Sequence, residues 1–155
     1  MSEPMVTPDG VVPDLSDTAA RRRDLHAALV GLEAGTTAPG SGAAWAEKAR
    51  PKLAELQEAF SAHVAGTEAS DGIFAEVMAQ APHLAHRISH LRQDHDAITA
   101  QIEACDVALA AVGDPASEGA ARDQLFALMG ALSRHRHLGA VLVWDAFDLD
   151  ISAGD

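Results

Sequence analysis

Four stretches of this chain repeat apolar residues every three or four positions, and proline or glycine punctuation separates each stretch from the next. That spacing places the apolar side chains on one face of a helix, and no stretch shows the alternation of a half-buried strand. We therefore expect an all-α protein, an up-and-down four-helix bundle. At 155 residues the chain is long enough to form one domain with a sizeable core.

The same punctuation predicts the domain organisation. Residues 1–15 contain three prolines and a glycine and predict an irregular N-terminal arm, whereas 16–150 form the bundle and 151–155 a C-terminal tail. The start of the second helix is open, because Trp45 begins its apolar region whereas Pro51 is best tolerated in a first helical turn. The expected helices are residues 16–35, 45 or 51 to 79, 82–112 and 118–147.

Each expected helix carries one histidine on its apolar stripe: His26, His63, His95 and His135. Counted from the connecting turns, neighbouring histidines lie within about one helical turn, roughly 5 Å, of a common depth. Neutral imidazoles that share an apolar cavity are costly to desolvate unless a metal accepts their lone pairs. The pattern therefore predicts a metal site inside the bundle, because imidazole is the commonest protein ligand for transition metals.

The other four histidines provide an internal comparison: His83, His86, His90 and His137. At roughly 100° per residue they lie away from the apolar stripes of their helices, so we expect them in solvent or at its boundary. Cys105 is on the buried stripe of the third helix, where a thiol usually serves only for packing.

Charge and cysteine content exclude several classes of partner. With 23 acidic and 11 basic side chains the formal charge is -12, so nucleic acid would be repelled. No apolar run reaches the roughly 18 residues of a membrane span, so no membrane partner is expected. A single cysteine excludes an internal disulfide, and residues 1–15 lack the features of a signal peptide. These observations together predict a soluble cytoplasmic protein.

The order and spacing of the four histidines resemble those of a known family. After His26 come "HVAGTE" at 63–68, "LRQDH" at 91–95 and "SRHRHLGA" at 133–140. This layout resembles the hemerythrin-like, or HHE cation-binding, domain, in particular its actinobacterial members, from about residue 18 to the end. The resemblance implies a bundle that holds non-haem iron as a di-iron centre. It also implies chemistry with a small ligand such as O2, peroxide or NO.

The resemblance implies the metal ligands His26, His63, Glu68, His95 and His135, but the carboxylates depart from the family pattern. The family has a carboxylate four residues after the histidine of the second helix, where this chain has a threonine followed by Glu68. Glu68 points about 140° away from His63 in a regular helix, and a one-residue bulge near a glycine would turn it inward.

The expected carboxylate of the fourth helix is also absent, because Gly139 and Ala140 occupy its two usual positions. Gly139 either permits close helix packing or leaves a pocket beside the metal. Asp94 either is solvated or accepts the second N–H of a nearby imidazole. The sequence thus predicts a site rich in histidine and poor in carboxylate, so the number of metals is open.

Three functions remain open at this point. The first is a non-haem iron protein that binds, senses or reduces a small oxidant. The second is a degenerate, metal-free helical module that binds a protein partner. The third is a metal-dependent oxidoreductase that acts on an organic substrate, and this function requires a pocket larger than a diatomic molecule.

Overall fold

The computed structural model describes residues 14–148, and these residues form five helices and one 3-10 turn, without a strand. Most of the expected N-terminal arm and the expected C-terminal tail lie outside the described residues. The elements are α1 (Ser16–Thr37), α2 (Gly42–Glu68), α3 (Ile73–Gln80), the 3-10 turn (Pro82–Leu84), α4 (Ala85–Ala110) and α5 (Pro115–Phe147).

The four long helices form the predicted bundle. Helix α1 packs on α2 and α4 packs on α5, and the two pairs meet where α2 contacts α4 and α1 contacts α5. The short helix α3 contacts α2 and α5 at one end of the bundle. The all-α four-helix architecture expected from the apolar periodicity is therefore confirmed. Within residues 14–148, no helix combines the length and apolar character needed to cross a bilayer.

Helix α2 begins earlier than either of its expected starts. It starts at Gly42, so that Trp45 lies in its first turn and Pro51 lies inside the helix. Pro51 is exposed, and the carbonyl that loses its hydrogen-bond donor there can be hydrated instead. Burial of Trp45, which is 1% exposed, stabilises the first turn against the cost of the interior proline.

Helix α2 also ends earlier than expected, at Glu68, and does not continue to residue 79. The backbone turns at residues 69–72, where the Gly72 amide donates to the Ala69 carbonyl at 2.8 Å, and α3 then begins at Ile73. A Cβ on Gly72 would lie 2.3 Å from the Gly66 carbonyl oxygen and 2.8 Å from that of Thr67. Glycine thus allows the chain to fold back on the end of α2, and we call residues 69–72 the corner.

The geometry of the corner predicts losses of different size for two glycine substitutions. Gly72→Ala should destabilise the protein by about 1–3 kcal/mol, because its methyl group meets backbone carbonyls that cannot move independently. Gly66→Ala should cost less, because its methyl group meets only the flexible end of the Arg21 side chain. Urea unfolding of both variants measures the difference, and equal stability losses would contradict this account of the corner.

The opposite end of the bundle is fastened by Trp45. Its indole Nε1 donates to the Thr36 carbonyl at the end of α1, at 3.1 Å. The Arg122 guanidinium from α5 stacks 3.9 Å from the indole ring and donates to the same Thr36 carbonyl at 2.8 Å and to the Gly40 carbonyl at 3.1 Å. One tryptophan and one arginine thereby join α1, α2, α5 and the connection between the first two helices.

Candidate metal centre

Three of the predicted histidines converge inside the bundle: His63 from α2, His95 from α4 and His135 from α5. One ring nitrogen from each lies within 4.8 Å of the other two. His95 is 1% exposed and His135 is 3% exposed, whereas His63 is partly buried. We call these residues the three-histidine cluster. Each comes from a different long helix, so the bundle fixes its position.

The spacing of the cluster suits a shared cation. The Nε2 atoms of His63 and His135 are 3.2 Å apart. Two nitrogens bound to one metal at about 2.1 Å lie roughly 3.0 Å apart at a right angle and roughly 3.4 Å apart in a tetrahedron. The ring centroids of His95 lie 5.2 Å from His63 and 4.9 Å from His135, so the third imidazole is equally close.

Two carboxylates are hydrogen-bonded to two of the three imidazoles. The Nδ1 atom of His95 lies 2.8 Å from Oε1 of Glu68, and Nδ1 of His135 lies 3.2 Å from Oδ2 of Asp94. An ionised carboxylate can only accept a hydrogen bond, so each Nδ1 carries the proton and donates. In the neutral form of each ring, Nε2 then keeps its lone pair. This carboxylate and histidine pairing is the usual support of a metal-binding imidazole.

One of these lone pairs has no partner within the described residues. His95 Nε2 is completely buried and hydrogen-bonds no atom of residues 14–148. An unsatisfied buried acceptor costs about 1–3 kcal/mol, so native proteins rarely retain one without a reason. A cation at the centre of the cluster would satisfy this nitrogen, and the donor set present therefore fits a metal.

Burial keeps the imidazoles of His63 and His135 neutral. The ring of Phe60 lies 5.8–6.3 Å from all three imidazoles, and Phe74 from α3 stacks on His95 at 5.7 Å. Burial lowers the pKa of His63 to about 3, with smaller effects from the neighbouring histidines and arginines. Burial also lowers the pKa of His135, against the opposing effect of its hydrogen bond to Asp94. Both side chains can therefore act as ligands at neutral pH without first losing a proton.

A cavity of about 50 Å³ adjoins the cluster. His63, His135 and Gly139 line it, together with Thr67 and Phe74. A Cβ added to Gly139 would have no atom within 4 Å, so this glycine leaves open space and does not serve close helix packing. Of the two interpretations of Gly139 offered by the sequence, the structure favours the pocket.

His26 is not a member of the cluster formed by residues 14–148. The buried stripe of α1 consists of Leu25, Leu29, Leu32 and Thr36, and Leu25 is the residue that reaches the cavity. His26 follows Leu25 by one residue, about 100° around the helix, and is only partly buried. Its Nδ1 is buried and hydrogen-bonds no atom of the described residues. Its role as a ligand stays a prediction.

Helical periodicity alone does not predict the contacts that Glu68 and Asp94 make with the imidazoles. Glu68 is the last residue of α2, and its side chain reaches His95 where the helix ends, without the bulge considered from the sequence. Asp94 precedes His95 by one residue but contacts His135 on the neighbouring helix. The sequence offered two interpretations of Asp94, a solvated carboxylate or an acceptor for the second N–H of a nearby imidazole, and its contact with His135 corresponds to the second.

The comparison histidines are exposed, as expected: His83, His86, His90 and His137. Cys105 is buried, and burial raises the pKa of its thiol to about 11, which makes the thiolate scarce at neutral pH. Neither these four histidines nor Cys105 belongs to the three-histidine cluster. The sequence therefore separated three of the central histidines from the four surface ones correctly.

Comparison with known protein families identifies a relationship for most of the chain. The family model described as the hemerythrin HHE cation binding domain matches residues 14–138, which include the whole three-histidine cluster. No curated protein and no solved structure matches the chain.

Proposed function

Because the chain belongs to the hemerythrin HHE cation-binding domain family, we propose that it is a non-haem iron protein that binds or reduces a small oxidant. The oxidants considered are O2, peroxide and NO. The observation that carries this proposal is the convergence of three imidazoles, two of them buried, together with the buried and unpartnered Nε2 of His95. Imidazole nitrogens suit iron among the transition metals, and the family provides the further argument for iron.

The size of the cavity favours a small ligand over an organic substrate. About 50 Å³ accommodates only a few water-sized molecules, whereas pockets for organic ligands usually measure roughly 300–1,000 Å³. The cavity reaches His63 and His135 directly, so a small ligand there would lie beside the metal-binding nitrogens. This observation supports a diatomic or peroxide ligand over an organic substrate.

The chain contributes binding, orientation and exclusion of water. His63, His95 and His135 would hold the metal, and the carboxylates of Glu68 and Asp94 would keep two of the rings in the required tautomer. Phe60 and the α3 residues cover the cluster and limit its contact with solvent. When bound, iron supplies one-electron redox chemistry and an open coordination position.

The proposal is tested on protein purified without oxygen, by quantifying its metal content with mass spectrometry. We expect iron to co-purify, or ferrous iron to bind and raise the melting temperature of the metal-free protein. Addition of O2, peroxide or NO should then produce a spectral change that the metal-free protein lacks. Protein that contains no iron and gains no stability from ferrous iron would contradict the proposal. A loaded protein that is indifferent to all three oxidants would restrict it to metal binding.

The cavity makes a further prediction about Gly139. Gly139→Ala should retain the metal but weaken binding of the small ligand by about tenfold or more, because the methyl group occupies space beside the cluster. Gly130→Ala is the matched control, since Gly130 also lies inside α5 with open space around it but does not line this cavity. NO titration of both loaded variants gives the comparison, and equal affinities would contradict a ligand position next to Gly139.

A further inference from the structure

We infer that the cluster holds one metal ion and not two, with His63, His95 and His135 as its protein ligands and with Glu68 and Asp94 as positioning residues. This inference rests on the proposed function, because it concerns the composition of the same site. Its basis is the set of atoms that remain available for coordination once the hydrogen bonds of the cluster are assigned.

The available donors converge on one point. Glu68 and Asp94 each accept a hydrogen bond from the Nδ1–H of one imidazole, so the remaining nitrogens of His95 and His135 are both Nε2. His63 presents its Nε2 to that of His135 at 3.2 Å, a separation suited to two ligands of the same ion. Three nitrogen ligands complete one side of a single coordination sphere and leave the other side open.

Within residues 14–148, no second group of three or more converging ligand side chains lies beside the three-histidine cluster. In the di-iron and di-manganese carboxylate proteins built on four-helix bundles, glutamates from the helices hold the metals together with histidines. Among residues 14–148 the compact group of ligand atoms contains histidines only, without a carboxylate oxygen. On α5, the positions four and five residues after His135 are Gly139 and Ala140, which have no donor side chain.

The two nearest carboxylates are engaged elsewhere. Glu68 contacts Nδ1 of His95 at 2.8 Å, and Asp94 contacts Nδ1 of His135 at 3.2 Å, so each carboxylate is already hydrogen-bonded to an imidazole. They also approach two different imidazoles from two different helices, α2 and α4. This arrangement is that of residues that orient ligands and strengthen them as donors, and mutation of such residues typically lowers metal affinity about 10–100-fold.

Titration of the metal-free protein with Co²⁺ and, without oxygen, with Fe²⁺ tests the inference. We expect one ion per chain by mass spectrometry after desalting, and the same endpoint in the visible spectrum of Co²⁺. Two ions per chain would overturn the single-metal inference and leave the proposed function intact. No bound ion of either metal would overturn both.

Substitutions separate ligands from positioning residues. Asp94→Ala should bind one Co²⁺ with about 10–100-fold lower affinity and little change in the stability of the metal-free protein. Asp94→Asn retains an oxygen acceptor and should recover part of the loss, whereas Asp96→Ala, at an exposed position on the same helix, should match the parent protein. A large loss of metal-free stability in Asp94→Ala, with unchanged metal affinity, would show that Asp94 is merely structural.

His26 provides the sharpest comparison with a two-metal site. Because His26 lies outside the three-histidine cluster, His26→Ala should retain one ion per chain with nearly unchanged affinity. A His26→Ala variant that loses the metal, or that falls from two ions to one, would overturn the assignment.

Discussion

Replacing His135 with alanine is expected to abolish stable metal binding. Structural metal sites with four ligands bind with roughly 10–16 kcal/mol, so the loss of one ligand should cost about 3 kcal/mol, or at least about 100-fold in affinity. The substitution also leaves the Asp94 carboxylate without its hydrogen bond from His135. The measurement is the dissociation constant for Co²⁺, together with the metal retained after gel filtration.

His137→Ala is the matched control for this prediction. His137 lies two residues further along α5, is exposed, and faces away from the cluster. It should retain the metal affinity of the parent protein. A parent protein without metal, combined with unchanged or increased stability of His135→Ala, would support the alternative of a metal-free interaction module. Equal metal loss in both variants would contradict the assignment of His135 as a ligand.

Trp45→Ala should produce the largest change in stability, a loss of about 3–5 kcal/mol. The side chain is 1% exposed, so its removal leaves a cavity that the surrounding helices cannot fill completely. The loss also removes the indole hydrogen bond to Thr36 and the ring beneath Arg122. Urea unfolding of the metal-free protein gives the free energy without a contribution from bound metal.

Trp144 offers the control, because it has the same side chain on α5 but is 49% exposed. Trp144→Ala should cost less than about 1 kcal/mol, in the usual range for exposed positions. The melting temperatures of the two variants should therefore differ clearly. Similar losses would mean that burial and the contacts of Trp45 do not determine its contribution.

The sequence predicted the fold and much of the cluster for the same physical reason. Apolar periodicity identifies the buried face of a helix, and His95 and His135 lie directly on that face. The same argument is less accurate on α1, whose stripe is short. There Leu25 faces the core, and His26, one residue later, lies at its boundary. An apolar stripe with so few repeats does not define the buried face to within one residue, which is about 100° of rotation around the helix.

The break between α2 and α3 could not be predicted from periodicity either. Apolar residues continue on both sides of the corner, and Gly66 resembles Gly72 in the sequence. Only the tertiary structure distinguishes them, because the Gly72 backbone packs against the carbonyls that end α2. The contact of Glu68 depends on that break, whereas the contact of Asp94 depends on how α4 packs against α5. They belong to the packing of the bundle and not to any local pattern.

The position of Glu68 at the end of α2 gives the corner a thermodynamic role. Its carboxylate orients His95, and it is also the last helical residue before the chain turns at 69–72. The coupling between two equilibria is reciprocal. Any factor by which the folded conformation of the corner raises metal affinity is therefore also the factor by which bound metal stabilises that conformation. Amide hydrogen exchange at residues 69–72 should therefore slow when metal binds. The exchange rate of these amides would therefore indicate whether the metal site is occupied.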